Sequence, residues 1–308
     1  MSSKKASPKK KTRAGFVAIL GAPNAGKSTL LNRLVGQKVS IVSPKAQTTR
    51  IRTLGIMTEG AIQISFIDTP GIFAPKNRLD RAMVQAAWNS MGDADAIVLI
   101  VDAAARKENE KIAAIIEELK KRKKSVILAL NKVDAVEPAK LLPQAAAMND
   151  TGIFSDIFMV SALTGDGVDD LKRHLIELMP ESPFYYGEDQ VSDLPSQILA
   201  AEITREQLFF QLQQELPYAA AVLPESLEEK RDGSVIIRQT IVVSRENQRP
   251  IVLGKGGARI KAIGEKARTE IAKIFERKVH LFLEVKVDEK WQEHPAFYQA
   301  FGLEFGKK

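Results

Sequence analysis

Gly21-Ala22-Pro23-Asn24-Ala25-Gly26-Lys27-Ser28 follows an apolar β-branched run and opens an amphipathic one. Its two glycines let a backbone wrap closely around phosphate oxygens with N–H groups turned inward, and the helix that starts at Lys27 adds positive potential. There Lys27 bridges the β- and γ-phosphates of a nucleoside triphosphate, Ser28 ligates Mg²⁺, and Asn24, Ala25 and Thr29 belong to the same loop and helix start. Asp68-Thr69-Pro70-Gly71 ends the run Ile62–Asp68. A carboxylate at that strand end holds a Mg²⁺-bound water, and the Gly71 N–H meets the γ-phosphate. Asn131-Lys132-Val133-Asp134 ends Ser125–Asn131. The Asp134 carboxylate accepts from guanine N1–H and from the exocyclic amine. Against adenine it would face a lone pair, and a buried polar group left unpaired costs about 1–3 kcal/mol. Asn131 braces the loop and the Lys132 stem covers the base. In Ser161-Ala162-Leu163, which follows Asp156–Ser161, the Ala162 N–H is placed to donate to guanine O6. Four motifs in this order, each at the C-terminal end of a strand, read as a guanine-nucleotide site.

The elements that must carry these motifs are legible over residues 16–180. Strands are expected at Phe16–Leu20, Ile62–Asp68, Ala96–Asp102, Ser125–Asn131 and Asp156–Ser161, mostly continuous in hydrophobicity as in strands buried on both faces. Helices are expected at Lys27–Val35, Leu79–Met91, Lys107–Arg122, Glu137–Asn149 and Gly167–Met179. Alternation of the two predicts an α/β domain with a mostly parallel sheet and helices on both faces.

The chain of 308 residues is long enough for two domains. It has no cysteine, which removes disulfides, thiol nucleophiles and Cys-ligated metals, and its three scattered histidines cannot build a metal cage. No apolar run approaches the ~18 residues of a membrane span. The net charge of +7 is uneven. Residues 1–13 carry six Lys and Arg and no acid, and read as a disordered basic arm. Residues 245–278 carry ten basic and four acidic side chains inside a C-terminal region that is otherwise acidic, the footprint of a face that binds a polyanion.

The expected layout is a GTP-binding domain over 14–180, a proline-bracketed linker over 181–195 and a smaller α+β domain over 196–308. In the last, Ser196–Leu216 reads as a helix, Ala219–Leu223 and Ser234–Ser244 as strands around the turn signal Asp232-Gly233, and Val279–Val287 as a half-exposed strand. Between them lies Ile251-Val252-Leu253-Gly254-Lys255-Gly256-Gly257-Ala258-Arg259-Ile260-Lys261. Without Cβ atoms a G-x-x-G loop lets a nucleic-acid backbone approach, with bases along the apolar groove beside it. Arg249, Arg259 and Lys261 are candidates to neutralise phosphates, and Ile251, Gly254, Lys255, Gly256, Gly257 and Ile260 to form the groove. Helix, two strands, helix–loop–helix, strand resembles the type II KH fold.

The nucleotide motifs resemble the translation-factor-like branch of small GTPases. That resemblance makes SPKAQTTR, residues 43–50, switch I, with Thr49 rather than Thr48 as the Mg²⁺ ligand when GTP is bound. Ras-type proteins carry after this Gly a glutamine that orients the attacking water; here the position is Ile72, so slow intrinsic hydrolysis is expected. In related GTPases lacking that glutamine, an Asn at the position of Asn24 helps hold K⁺ near the phosphates, which makes Asn24, Lys27 and Thr49 the catalytic candidates. SPKAQTTR, DTPGI, PESPFYY, AAEITREQLF and GKGG together resemble the Era family of bacterial GTPases across residues 14–295. The resemblance implies a GTP-hydrolysing switch that binds the 3′ end of small-subunit (16S) rRNA and acts in assembly of the 30S subunit. The alternative is a constitutive RNA-binding assembly protein with a structural nucleotide. It further implies a cytoplasmic monomer, peripheral association with the inner membrane, and no DNA partner.

Overall fold

The computed structural model describes residues 11–45, 48–92, 94–105, 109–122, 125–300 and 302–305. Most of the expected basic arm (residues 1–10), Ala46 and Gln47 of the expected switch I, and Lys107 at the start of an expected helix lie outside the described residues.

Six strands, β1 (Arg13–Gly21), β2 (Thr53–Glu59), β3 (Ile62–Asp68), β4 (Ala96–Asp102), β5 (Val126–Asn131) and β6 (Phe154–Val160), form one sheet in the order β2-β3-β1-β4-β5-β6. Only β2 runs antiparallel to its neighbour. Five helices flank the sheet: α1 (Lys27–Val35), α2 (Arg78–Asn89), α3 (Asn109–Arg122), α4 (Pro138–Asn149) and α5 (Val168–Leu178). β5 is buried at every position because both faces are covered. One core joins Ile19 and Ile100 to Leu30, Leu31, Leu171 and Leu175; the other joins Leu99 and Leu128 to Ile112, Ile115, Ile116 and Leu119.

β1 starts at Arg13, three residues before the expected strand, so the basic arm cannot include that residue: Arg13 pairs with Ile62 and its guanidinium donates to the Met179 carbonyl at 2.7 Å. β2 was not anticipated. Its sequence TLGIMTE is weakened as a strand signal by Gly55, yet a Cβ there would lie 2.6 Å from Leu31 and 2.8 Å from Val35, so glycine is what lets α1 close on the sheet. Residues 182–193 lie along this sheet edge. Gln63 accepts the N–H groups of Tyr185 and Tyr186, both at 3.0 Å, and Ile56 N–H donates to Val191 O at 2.8 Å. The segment thereby covers an edge strand rather than hanging free.

The second unit contains α6 (Ser196–Gln211), β7 (Ala220–Glu229), β8 (Val235–Val243), α7 (Arg249–Leu253), α8 (Ala258–Phe275), β9 (Val279–Val287) and α9 (Pro295–Ala300). β7 and β8 are antiparallel across the Gly233 turn, and β9 joins β8 in parallel. Leu208 of α6 and Ile263 of α8 pack on one sheet face with Ile241 and Val285. α6 stops at Gln211, short of the expected Leu216, and chain turns fill 212–219. On the opposite face Trp291, Phe297, Tyr298 and Leu303 join Ala221 and Val242 to Leu79, Ala82 and Met83 of α2 and to Ile51. This C-terminal segment, including the unanticipated α9, bridges the two units through one apolar cluster.

Candidate nucleotide and RNA sites

Gly26 (φ 103°) turns the phosphate loop into α1, and a Cβ on it would lie 2.2 Å from the Asn131 amide nitrogen. The two motifs are therefore interlocked: Asn131 Nδ2 donates to Ala25 O at 2.8 Å and Asn131 Oδ1 accepts from Ala162 N–H at 2.9 Å. Gly71 fits as closely, since a Cβ there would meet the Pro23 backbone at 2.7 Å. Lys27 is buried and its Nζ donates to Ala22 O at 2.9 Å and Gly21 O at 3.3 Å, which holds the ammonium at the loop mouth. An open cleft of about 540 Å³ runs past Asn24, Gly26, Lys27, Ser28, Thr29, Thr49, Gly71, Asp102 and Lys132.

The three expected Mg²⁺ groups converge. Ser28 Oγ lies 2.8 Å from Thr49 Oγ1 and donates to Asp68 Oδ2 at 2.7 Å; Thr49 Oγ1 is 3.4 Å from the same carboxylate oxygen. Thr48 instead turns its hydroxyl to Lys45 O and Ser43, which leaves Thr49 as the threonine of the cluster. Asp68 is fully buried, and its other oxygen, Oδ1, has no hydrogen-bond partner. Burial raises its pKa, against the lowering effect of Ser28, Ser40, Lys27 and Thr49. Hydroxyls around an under-satisfied buried carboxylate suit a hard, oxygen-seeking cation, so Ser28, Thr49 and Asp68 fit Mg²⁺. Ser40, whose Oγ donates to Asp68 at 2.7 Å, was missed by motif reading because no spacing rule marks it.

At the base end, Asp134 stands exposed in a short 3₁₀ turn after Lys132. Lys132 itself has a left-handed backbone (φ 65°), and its Nζ pairs with Asp102 at 2.5 Å, a partner the sequence did not flag. Ser161 is buried and its Oγ accepts from Thr164 N–H, so it shapes the loop. The Ala162 N–H, expected to meet guanine O6, donates to Asn131 Oδ1 and so braces the loop at the base end. Leu163 is exposed beside a separate hollow lined by Thr29, Arg33 and Ala162, and its carbonyl accepts from Arg33. Asn24 also has φ 64°, and its amide donates to Pro44 O at 3.0 Å, linking the phosphate loop to the following segment.

In the second unit the GKGG loop joins α7 to α8. Gly254 (φ 74°, ψ 172°) cannot carry a side chain, since a Cβ would lie 2.7 Å from Arg259 Cβ, whereas Gly256 and Gly257 have open space around them. Arg259 Nη1 donates to Ile251 O at 2.6 Å, which closes the loop and leaves the other guanidinium N–H groups for a phosphate. Lys255 and Lys261 are exposed, as is Arg249, and Ile251 is 47% exposed. Ile260 and Lys261 line a groove of about 390 Å³ with Gly264, Arg268, Leu281, Phe282 and Leu283. The β9 side of that groove was not among the expected residues, because the pairing of β9 beside α8 is a tertiary fact.

The segment 38–50 ties the two units together. Lys38 pairs with Glu206 at 2.6 Å and with Glu270, and Val42 N–H donates to Glu206 at 2.7 Å. Lys45 Nζ donates to the carbonyls of Phe209 and Leu212 at the end of α6. Arg205 donates to Thr48 O at 2.5 Å, and Arg50 to Ala220 O at 2.8 Å and to Pro217 and Tyr218 O at 3.1 Å.

A phosphate loop opening the first helix of a mostly parallel sheet, a guanine-type NKxD loop and a KH unit after it define a P-loop GTPase with an appended RNA-binding module. A family model described as "50S ribosome-binding GTPase" matches residues 16–132, and one described as "KH domain" matches residues 215–292. GTPase Era of Caulobacter vibrioides is 52% identical over 308 residues, covering 96% of this chain and 98% of its own. GTPase Era of Rhizobium meliloti is 56% identical over 296 residues, covering 96% and 94%. A crystal structure of Era with MgGDPNP and nucleotides 1506–1542 of 16S ribosomal RNA matches at 40% identity and TM-score 0.86, covering 94% of this chain and 99% of that one. A point variant of Aquifex aeolicus Era bound to GDP.AlF4- matches at 40% identity and TM-score 0.88, with the same coverage. The chain belongs to the Era GTPase family, and it is a GTPase.

Asp134→Asn is expected to shift nucleotide preference from GTP toward xanthosine triphosphate; competition binding with both checks it, and retained GTP preference contradicts the base assignment. Asp68→Asn has opposite effects on stability and on Mg²⁺ binding. The raised pKa means Asp68 contributes stability at low pH that is lost as pH rises through that pKa. In EDTA, the variant's gain over the parent therefore grows with pH and levels off, while Mg²⁺-dependent GTP affinity falls by at least roughly tenfold, the loss of one charged ligand. Denaturation at several pH values and titration with Mg²⁺ read the two effects.

Proposed function

We propose that the chain is a GTP-hydrolysing switch that captures the 3′ end of small-subunit rRNA and acts, as a cytoplasmic monomer, in maturation of the 30S subunit. The observation that carries this reading is the segment 38–50, which contributes Thr49 to the candidate Mg²⁺ site and is fastened at both ends to the unit that holds the GKGG loop. The RNA in the related Era crystal structure, nucleotides 1506–1542 of 16S rRNA, supports the choice of ligand.

In this reading Lys27, Ser28 and the backbone N–H groups from Asn24 to Thr29 bind the triphosphate. Ser28, Thr49 and Asp68 hold Mg²⁺, which neutralises phosphate charge, and Asp134 with Lys132 selects guanine. GTP draws 43–50 onto the γ-phosphate and Mg²⁺, and hydrolysis releases it. The shift in RNA affinity is limited by the difference in nucleotide affinity between the two arrangements. Ile72 is packed against the phosphate loop, its N–H on Gly21 O at 3.0 Å, and cannot orient water. Asn24 gives its amide nitrogen to Pro44, which leaves Oδ1 as the acceptor for K⁺ near the phosphates.

Affinity for a short single-stranded RNA of the 16S 3′ end is expected to be higher with a non-hydrolysable GTP analogue and Mg²⁺ than with GDP, at one fixed salt concentration. Equal affinity would favour constitutive RNA binding. Lys255→Asp with Gly256→Asp should abolish RNA binding and spare GTP hydrolysis, because two carboxylates meet the phosphate backbone; Gly256 has open space around it, and its left-handed backbone (φ 59°) is one that aspartate adopts more readily than most residues. Hydrolysis in potassium buffer is expected to exceed that in sodium buffer; equal rates would remove the role given to Asn24.

A further inference from the structure

The bonds around Thr49 point beyond a one-way signal. Thr48 O belongs to the peptide group that ends at Thr49 Cα, and a peptide group is a rigid plane. Arg205 Nη2 donates to that oxygen at 2.5 Å, so the α6 side chain fixes the plane from which Thr49 projects. Arg205 is itself held in place: it is 2% exposed, and both its Nε, at 2.7 Å, and its Nη2 donate to the Glu202 carboxylate one turn earlier. Upstream, Glu206 on the same helix is 3% exposed and holds Val42 N–H and Lys38 Nζ. Downstream, Arg50 is anchored to three carbonyls that follow α6. Thr49 is thus bracketed on both sides by groups outside the nucleotide-binding unit, while its hydroxyl sits 2.8 Å from Ser28.

We infer that Arg205 and Glu206 are positioning residues for GTP hydrolysis: α6 presents Thr49 to Mg²⁺ and the γ-phosphate, so the second unit completes the GTPase site it responds to. This rests on the assignment of Thr49 to the Mg²⁺ site. The role is selective by nucleotide, because GDP has no γ-phosphate for Thr49 and its Mg²⁺ to address. A side chain that merely held the domains together would affect both nucleotides or neither.

The test uses the full chain with Arg205→Ala, Glu206→Ala and Glu206→Gln. A hydrogen bond to a charged group is lost in the first two, which predicts about a tenfold fall in affinity for a GTP analogue and in kcat. GDP affinity should be unchanged, which also reports that the site is folded. Glu206→Gln keeps an acceptor for Val42 N–H and should recover most of the loss. Unchanged kcat and GTP-analogue affinity in both alanine variants would overturn the inference, as would equal losses for GDP and the analogue. If the parent chain itself did not distinguish the analogue from GDP, the Mg²⁺-site assignment would fail first, which separates the two claims.

Discussion

The proposed coupling depends on three consecutive residues that belong to two sites at once. Thr49 reaches Ser28 and Asp68, Thr48 gives its carbonyl to Arg205, and Arg50 is buried among the carbonyls of 217–220. Neighbouring Cα atoms are held about 3.8 Å apart. In the proposed switch, drawing Thr49 in or letting it go therefore pulls on the second unit. No long-range signalling network is needed, because the two sites share a covalent segment.

The junction around this segment is built from costly parts. Arg50 and Arg205 are both buried beside one another, and Arg50's pKa is pushed down to about 9 by burial and then by Arg205. At neutral pH the guanidinium stays charged, stabilised by Glu202 and Asp80, and it lies 5.7 Å and 6.0 Å from the ring centres of Phe209 and Trp291, whose faces attract a cation. Removing one partner of such an assembly leaves an uncompensated buried charge, typically about 3–5 kcal/mol. Around it the apolar cluster of Trp291, Phe297 and Tyr298 supplies cohesion that does not depend on direction.

Chemistry that is local in sequence was legible before the fold. GxxxxGKS, DTPG and NKVD each place their groups within one turn of chain, and each sits at the end of a strand whose hydrophobic run was plain. Thr49 could be separated from Thr48 only by resemblance, and the hydrogen bonds of Thr48 to Lys45 and Ser43 now give the physical reason. What stayed hidden was non-local or carried a weak signal. β2 was masked by Gly55, whose missing side chain makes room for α1. Ala162 N–H also braces Asn131, and one N–H of Arg259 also closes the loop onto Ile251, because backbone and loop demands are invisible without partners in space. Arg205 and Glu206 lay inside AAEITREQLF, read only as a family marker; their place against residues 42–48 required the packing of α6 on the nucleotide unit.

The central claim is that nucleotide state moves the second unit through residues 48–50. Because the chain has no cysteine, a single pair can be introduced cleanly, Leu142→Cys on α4 and Lys273→Cys on α8, both exposed. Spin labels at that pair report the inter-unit distance distribution by pulsed electron resonance. One distribution is expected with GDP and a displaced one with Mg²⁺ and a non-hydrolysable GTP analogue, the displacement disappearing when Thr49 is replaced by Ala. Superimposable distributions in the two nucleotide states would contradict it.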